Sequence, residues 1–138
     1  MSSAGDPGAA LHAARRLADA FRARDLHAAM DCFAQDGDIT YVGSEPGEQA
    51  TGRAAVAALL TELFARPEAY SWNIHDADIY ARGGLAYLSC GATGYASTDT
   101  GVEESFPYRL SGLLEHTESG WLWRACHGCE PSSPVAGS

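Results

Sequence analysis

At 138 residues, 46% hydrophobic and 20% charged, the chain suits one globular domain with its own core, which excludes intrinsic disorder. Its 18 acidic residues outnumber 9 basic ones, all of them scattered arginines, for a net charge of −9; this excludes the clustered basic footprint that nucleic acids and anionic membranes demand. No apolar run approaches the roughly 18 residues of a membrane-spanning helix and residues 1–10 lack a signal-peptide pattern, so a cytoplasmic location with reduced thiols at Cys32, Cys90, Cys126 and Cys129 is expected.

A single domain is expected over residues 6–131, between Gly/Ser/Pro-rich tails at 1–5 and 132–138. Asp6-Pro7 opens a first helix as N-cap and first helical residue, and Leu11, Ala14, Leu17, Ala18 and Phe21 follow at helical spacing. Asp25 caps a second helix with Leu26, Ala29, Met30 and Phe33 on one face, and Asp36-Gly37 ends it. Residues 38–42 read as a short strand, and the Gly- and Pro-bearing stretch 43–51 as a loop. In the third helix Val56, Leu59, Leu60, Leu63 and Phe64 form an apolar stripe that Arg66-Pro67 stops. The period then changes to two. Strands are predicted over 71–82, 85–96, 102–116 and 121–127, joined by turns at Gly83-Gly84, 98–101 and Ser119-Gly120, with Pro107 marking an edge or bulge.

The predicted class is therefore α+β, in the order α-α-β-α-β-β-β-β, with a curved mixed or antiparallel sheet wrapped around helices. The concave face of such a sheet, closed by helices, makes an apolar pocket. Residues 43–48 would form the lip of its mouth; they lack the lysine and the strand-to-helix placement of a phosphate-binding loop.

Several local motifs occur in this order. They are Phe21-x-x-x-Asp25-Leu26, Asp36-Gly37-x-Ile39-x-Tyr41, Gly52-Arg53, the run Pro107-Tyr108-Arg109-Leu110-Ser111-Gly112, and Gly120-Trp121-Leu122-Trp123-Arg124 leading to His127-Gly128-Cys129-Glu130-Pro131. Together they resemble the SnoaL-like branch of the nuclear transport factor 2-like superfamily, whose cone-shaped α+β barrel hosts cyclases, isomerases, dehydratases, hydrolases and non-enzymatic binders. The resemblance implies that the Arg109/Ser111 face and the His127/Cys129 face are the pocket side. Relatives often carry serine where this chain has Cys129. No acid stands clearly at the general-base position of the ketosteroid isomerase branch, so steroid isomerisation is not carried over.

His127 is the leading proton-transfer candidate, because an imidazole titrates near neutrality; the plainer alternative is a histidine satisfying backbone groups at a strand end. Arg109, in an apolar strand, either holds an anionic substrate group or pairs with Glu130 as a clamp. Tyr41, Trp72, Tyr87 and Tyr108 either line the pocket, where a phenol can stabilise an oxyanion, or are core aromatics. Asp76 and Asp78 share strand parity with Trp72 and Ile74, and the mixed pattern leaves open which face lines the pocket. Cys126-x-x-Cys129 closes a strand and does not open a helix, so incidental thiols are expected over a redox or zinc role.

The function expected is a cofactor-independent acid–base enzyme of the cyclase, isomerase, dehydratase or hydrolase type, acting on a small, largely apolar molecule, with natural-product biosynthesis as a setting by analogy. The catalytic set is His127, Arg109 and Tyr41; the substrate-binding set is Trp72, Tyr87, Tyr108, Ser111, Cys129, Asp78 and Glu130; no metal is assigned. The alternatives are a non-catalytic binder and a dimeric interaction module. A homodimer is expected, with no nucleic-acid or membrane partner.

Overall fold

The periodicity of the first segment produces helix α1 (Pro7–Ala23), whose buried side carries Ala10, Ala14, Leu17, Ala18 and Phe21. The computed structural model describes residues 7–131; Asp6 and the tails 1–5 and 132–138 lie outside them. Alanines on the inward side of α1 let its axis approach the sheet closely, while Leu17 and Phe21 fill the space between. Arg24, with φ 52°, turns the chain into α2 (Leu26–Met30), where Asp25 caps the helix by accepting the Ala28 N–H at 3.0 Å. Then follow β1 (Thr40–Val42), β2 (Gln49–Thr51), α3 (Arg53–Phe64), β3 (Ala69–Arg82), β4 (Leu85–Ser97), β5 (Glu103–Thr117) and β6 (Gly120–Cys129). Arg53 donates to the carbonyls of Met30, Phe33 and Ala34, which satisfies groups left open at the end of α2.

The strands form one open sheet in the order β2-β1-β6-β5-β4-β3, antiparallel throughout except for the parallel pairing of β1 with β6. The α+β class and the four-strand meander are as predicted. Two expectations need correction: α2 ends at Met30, so Phe33 and Asp36-Gly37 lie beyond it, and the stretch 43–51 contains β2. Its three residues, Gln49-Ala50-Thr51, are too few to establish a period of their own. They become a strand because β1 offers an edge, pairing Tyr41 with Ala50 and Val42 with Gln49. Pro107 pairs with Thr93 of β4 and lies beyond the end of β6, whose last residue, Cys129, stands opposite Arg109, so on that side no strand requires its N–H.

Two bulges decide which residues face inward. In β3 the register passes from Ile74↔Ala92 to Asp76↔Gly91, leaving His75 as the extra residue. Trp72 and Ile74 before it face the core; Asp76 and Asp78 after it face out. In β6 it passes from Leu114↔Trp123 to Leu113↔Ala125, leaving Arg124 as the extra residue. Trp123 therefore points inward, and so do Cys126 and Gly128, although they differ from it in parity. The core centres on Trp123, 1% exposed, with Phe33, Leu17, Leu60, Leu88, Leu110 and Leu114.

The β6 bulge aims Arg124 at a cluster of acids. Its guanidinium grips both Asp36 oxygens, one at 2.6 Å, donates from Nε to Glu115 at 2.7 Å and reaches the Asp38 carbonyl at 3.0 Å. Hydrogen bonding from Arg124 holds the Asp36 carboxyl down to about 2 against an ordinary 3.8. A depressed acid stabilises the fold fully above its unfolded pKa and loses that contribution as pH falls. The Asp36 contribution is thus expected intact above pH 3.8 and lost as pH drops through about 2. Carboxyl NMR should find Asp36 titrating near 2 in the parent and near its ordinary value in Arg124→Met.

Candidate functional site

The concave side of the sheet does not fill completely. Between α1, α3 and the strands lies a cavity of about 60 Å³, opening toward residues 44–48. Its inner wall is aromatic: Phe21 from α1, Tyr41 from β1, Trp72 from β3, and Phe106 and Tyr108 from β5. Phe21 stacks on Tyr41, and the other pairs are edge-on or tilted, with centroids 4.8 Å apart for Phe21–Trp72, 5.8 Å for Trp72–Tyr108 and 6.1 Å for Phe106–Tyr108. The mouth is polar, formed by Ser44, Glu45, Glu48, Tyr70, Ser71 and Glu130.

Glu48 is the buried acid of the site, 9% exposed. The Gly43 N–H donates to its carbonyl at 2.6 Å and closes the loop before β2. Its side chain lies 3.3 Å from the Arg66 guanidinium and accepts the Glu45 N–H at 3.4 Å, both long contacts that hold the carboxylate while leaving it on the cavity wall. Burial pushes the Tyr41 and Tyr108 phenols well above the ordinary tyrosine range, with smaller upward contributions from Tyr108 at Tyr41 and from Cys126 and Glu48 at both. Both therefore stay protonated and able to donate at neutral pH. Trp72 Nε1 is buried without a hydrogen-bond partner among the described residues. At the far end Gly128 lets the Tyr108 hydroxyl rest on β6, since a Cβ there would overlap the phenol oxygen.

Of the residues singled out from sequence, Tyr41, Trp72, Tyr108 and Glu130 line this cavity. The others do not. Arg109, Ser111, His127 and Cys129, expected on the pocket wall, lie on the outer face of the sheet, as do Tyr87 and Asp78. On that face Asp78, Ser89, Ser111 and His127 form one row across four strands, and Asp76, Gly91, Arg109 and Cys129 the next. The correction has a definite cause. Tyr108, Leu110 and Leu114 take the core side of β5, and the Arg124 bulge reverses the parity carried from Trp121 and Trp123 to His127. Arg109 is exposed, so the premise of a buried guanidinium does not hold. Cys126 points into the core and Cys129 out, so the two thiols do not converge; burial pushes Cys126 upward and makes it inert.

Sequence reasoning missed Glu48, Tyr70, Ser71 and Phe106. Phe106 shares parity with Tyr108 and was accessible from that pattern. Glu48 was not: within a loop, nothing local separates it from Glu45. Among the described residues, no group of three or more His, Cys, Asp or Glu side chains is placed to hold a metal ion, and no helix is long and apolar enough to cross a membrane.

A family model described as a SnoaL-like domain matches residues 11–128. No curated relative matches the chain significantly. Among solved structures, the chain is similar to a protein from Streptomyces avermitilis proposed to be a dehydratase of the nuclear transport factor 2-like family, with TM-score 0.79 and 16% identity over 93% of this chain and 97% of that one. It is similar to a Novosphingobium aromaticivorans protein proposed to be an aromatic ring hydroxylase (TM-score 0.79, 19% identity, 93% and 90% coverage). It is also similar to a ketosteroid isomerase-like protein from Erwinia carotovora atroseptica (TM-score 0.72, 20% identity, 91% and 96% coverage). At these identities the likeness shows the fold alone.

Proposed function

The chain belongs to the SnoaL-like domain family, and we propose that its pocket moves a proton on a small, largely apolar carbonyl compound without a cofactor. The carrying observation is an aromatic cavity whose wall presents a buried carboxylate, Glu48, together with two phenols that burial keeps protonated, Tyr41 and Tyr108. A carboxylate is suited to take a proton next to a carbonyl. Protonated phenols are suited to donate to the oxygen on which negative charge then develops. Isomerisation, dehydration and cyclisation share this step. In this reading Glu48 takes the role that the sequence assigned to His127, and Tyr41 keeps its assigned role.

Because the substrate is unidentified, the test uses acetone and cyclopentanone, two small neutral ketones. Deuterium exchange at the carbon beside the carbonyl, followed by NMR, is expected to run faster with the protein than with buffer. Glu48→Gln should slow the protein-dependent rate about 10²-fold or more, the usual scale of a general base, and His127→Ala should leave it unchanged. Equal rates for the parent and Glu48→Gln would overturn the assignment.

The second reading, a non-catalytic binder, is favoured by the Arg66–Glu48 pairing, which occupies part of the carboxylate. It predicts ligand binding with no exchange above buffer.

The outer sheet face carries Tyr80 paired with Tyr87, 68% and 47% exposed, with Leu113 beside Tyr87. We propose that a second copy of the chain covers this face. Light scattering should give a dimer for the parent and a monomer for Tyr87→Asp; a monomeric parent would overturn this.

A further inference from the structure

The charge around the cavity is unbalanced. Glu45, Glu48 and Glu130 all line it. Arg66 reaches Glu45 at 3.5 Å and Glu48 at 3.3 Å, so one cation serves two carboxylates. Among the described residues Glu130 is met by the Ser44 hydroxyl, which donates to it at 3.5 Å. Arg24 is spent on the carbonyls of Arg66 and Pro67, each at 3.0 Å, and Arg22, near Ser71, pairs with Asp19 at 3.5 Å. Glu68, next to Tyr70 at 3.4 Å, adds another acid near the mouth. The phenols do not offset the imbalance, because they are neutral. An anionic ligand would enter against this field, whereas a cation would meet complementary charge.

The apolar wall points to the same ligand. Phe21, Tyr41, Trp72, Phe106 and Tyr108 surround a space of about 60 Å³. Aromatic faces carry negative potential and attract ammonium groups, tryptophan most strongly. The cavity is too small for a polycyclic body. Trp72 is 5% exposed, and its indole N–H has no partner among the described residues. A buried donor left open is costly unless a ligand supplies an acceptor, so an oxygen on the ligand would complete the site.

We propose that the pocket takes a small organic cation, an amine or quaternary ammonium bearing a hydroxyl or carbonyl oxygen, with its charge toward Glu48 and Glu130 and its alkyl groups against the rings. This deepens the proposed function, on which it rests for the premise that the cavity is the ligand site. It adds a charge requirement that proton transfer by itself does not impose.

The test is a comparison of isosteres by NMR titration or calorimetry: choline, its neutral carbon analogue 3,3-dimethylbutan-1-ol, and the anionic 3,3-dimethylbutanoate. Choline is expected to bind about tenfold or more tightly than the neutral alcohol, and the carboxylate most weakly. Glu130→Gln, at an exposed side chain outside the core, should reduce choline affinity several-fold and leave the alcohol unchanged; Glu48→Gln should do the same if it folds as the parent does by circular dichroism. If the neutral alcohol binds as well as choline, the charge inference is overturned while the pocket reading stands. If no probe binds, both fall.

Discussion

Replacing Trp123 with alanine is expected to lower the free energy of unfolding by about 3–5 kcal/mol, the usual cost of emptying a large aromatic site in a core. Trp123 is 1% exposed and links the two halves of the domain. Its N–H donates to the Cys32 carbonyl at 2.8 Å and its carbonyl accepts from the Ala34 N–H at 2.9 Å, while the side chain reaches the core formed with α1 and the sheet. The backbone contacts survive the substitution; the buried ring does not. Urea unfolding followed by circular dichroism should show the loss, with a fall in Tm on the order of 10 °C or more. Trp123→Phe should cost much less. It keeps most of the volume and removes an indole N–H that has no hydrogen-bond partner among the described residues. Val102→Ala, at a turn residue 57% exposed, should stay within about 0.5 kcal/mol, as surface substitutions usually do. A loss for Trp123→Ala no larger than that for Val102→Ala would show that the core is organised elsewhere.

Gly112→Ala is expected to destabilise by about 3 kcal/mol or more, at the upper end of overpacking effects. Gly112 lies opposite Cys126 beside the β6 bulge, with φ 154°. An added Cβ would overlap the Ala125 carbonyl oxygen and stand 2.8 Å from the Trp123 ring. Neither neighbour can give way easily, because the first is backbone within a ladder and the second is locked in the core. Relief would require β5 and β6 to separate, which would also disturb the Arg124 contacts to Glu115 and Asp36. The same denaturation experiment measures the stability. Asp36 titrating above its parental value in the variant would show that the bulge itself has shifted. A Gly112→Ala protein as stable as the parent would mean that the bulge is soft, and the aiming of Arg124 would need another explanation.

Both predictions turn on the feature that separated what was legible from what was not. The helices were legible because apolar spacing at 3.6 residues is a local signal: Leu17 and Phe21 in α1, and Val56, Leu60 and Leu63 in α3, are all buried as that spacing requires. Turn chemistry placed the hairpins, and the Asp25 cap forms its expected bond. The pocket, its mouth near residues 44–48 and the wall residues Tyr41, Trp72 and Tyr108 followed from the fold. The polar side of the site did not. Inward and outward assignments were carried along β3 and β6 by parity, and parity is preserved only while no residue is inserted. His75 and Arg124 are such insertions, and each transfers every later residue to the opposite face.

The sequence by itself thus determined the class of fold, the helices, the meander and the existence of an aromatic pocket, since each depends on periods and turn preferences that neighbouring residues express together. Only the tertiary structure decided that β2 exists, that Arg109, Ser111 and His127 face outward, and that Glu48 turns inward. A bulge forms, and a three-residue strand pairs, according to what the partner strand offers across the sheet. That partner is distant in sequence: Arg124 bulges against β5 and then closes on Asp36, 88 residues away. The chemistry of the site was hidden from local pattern because it is set by register, and register belongs to pairs of strands.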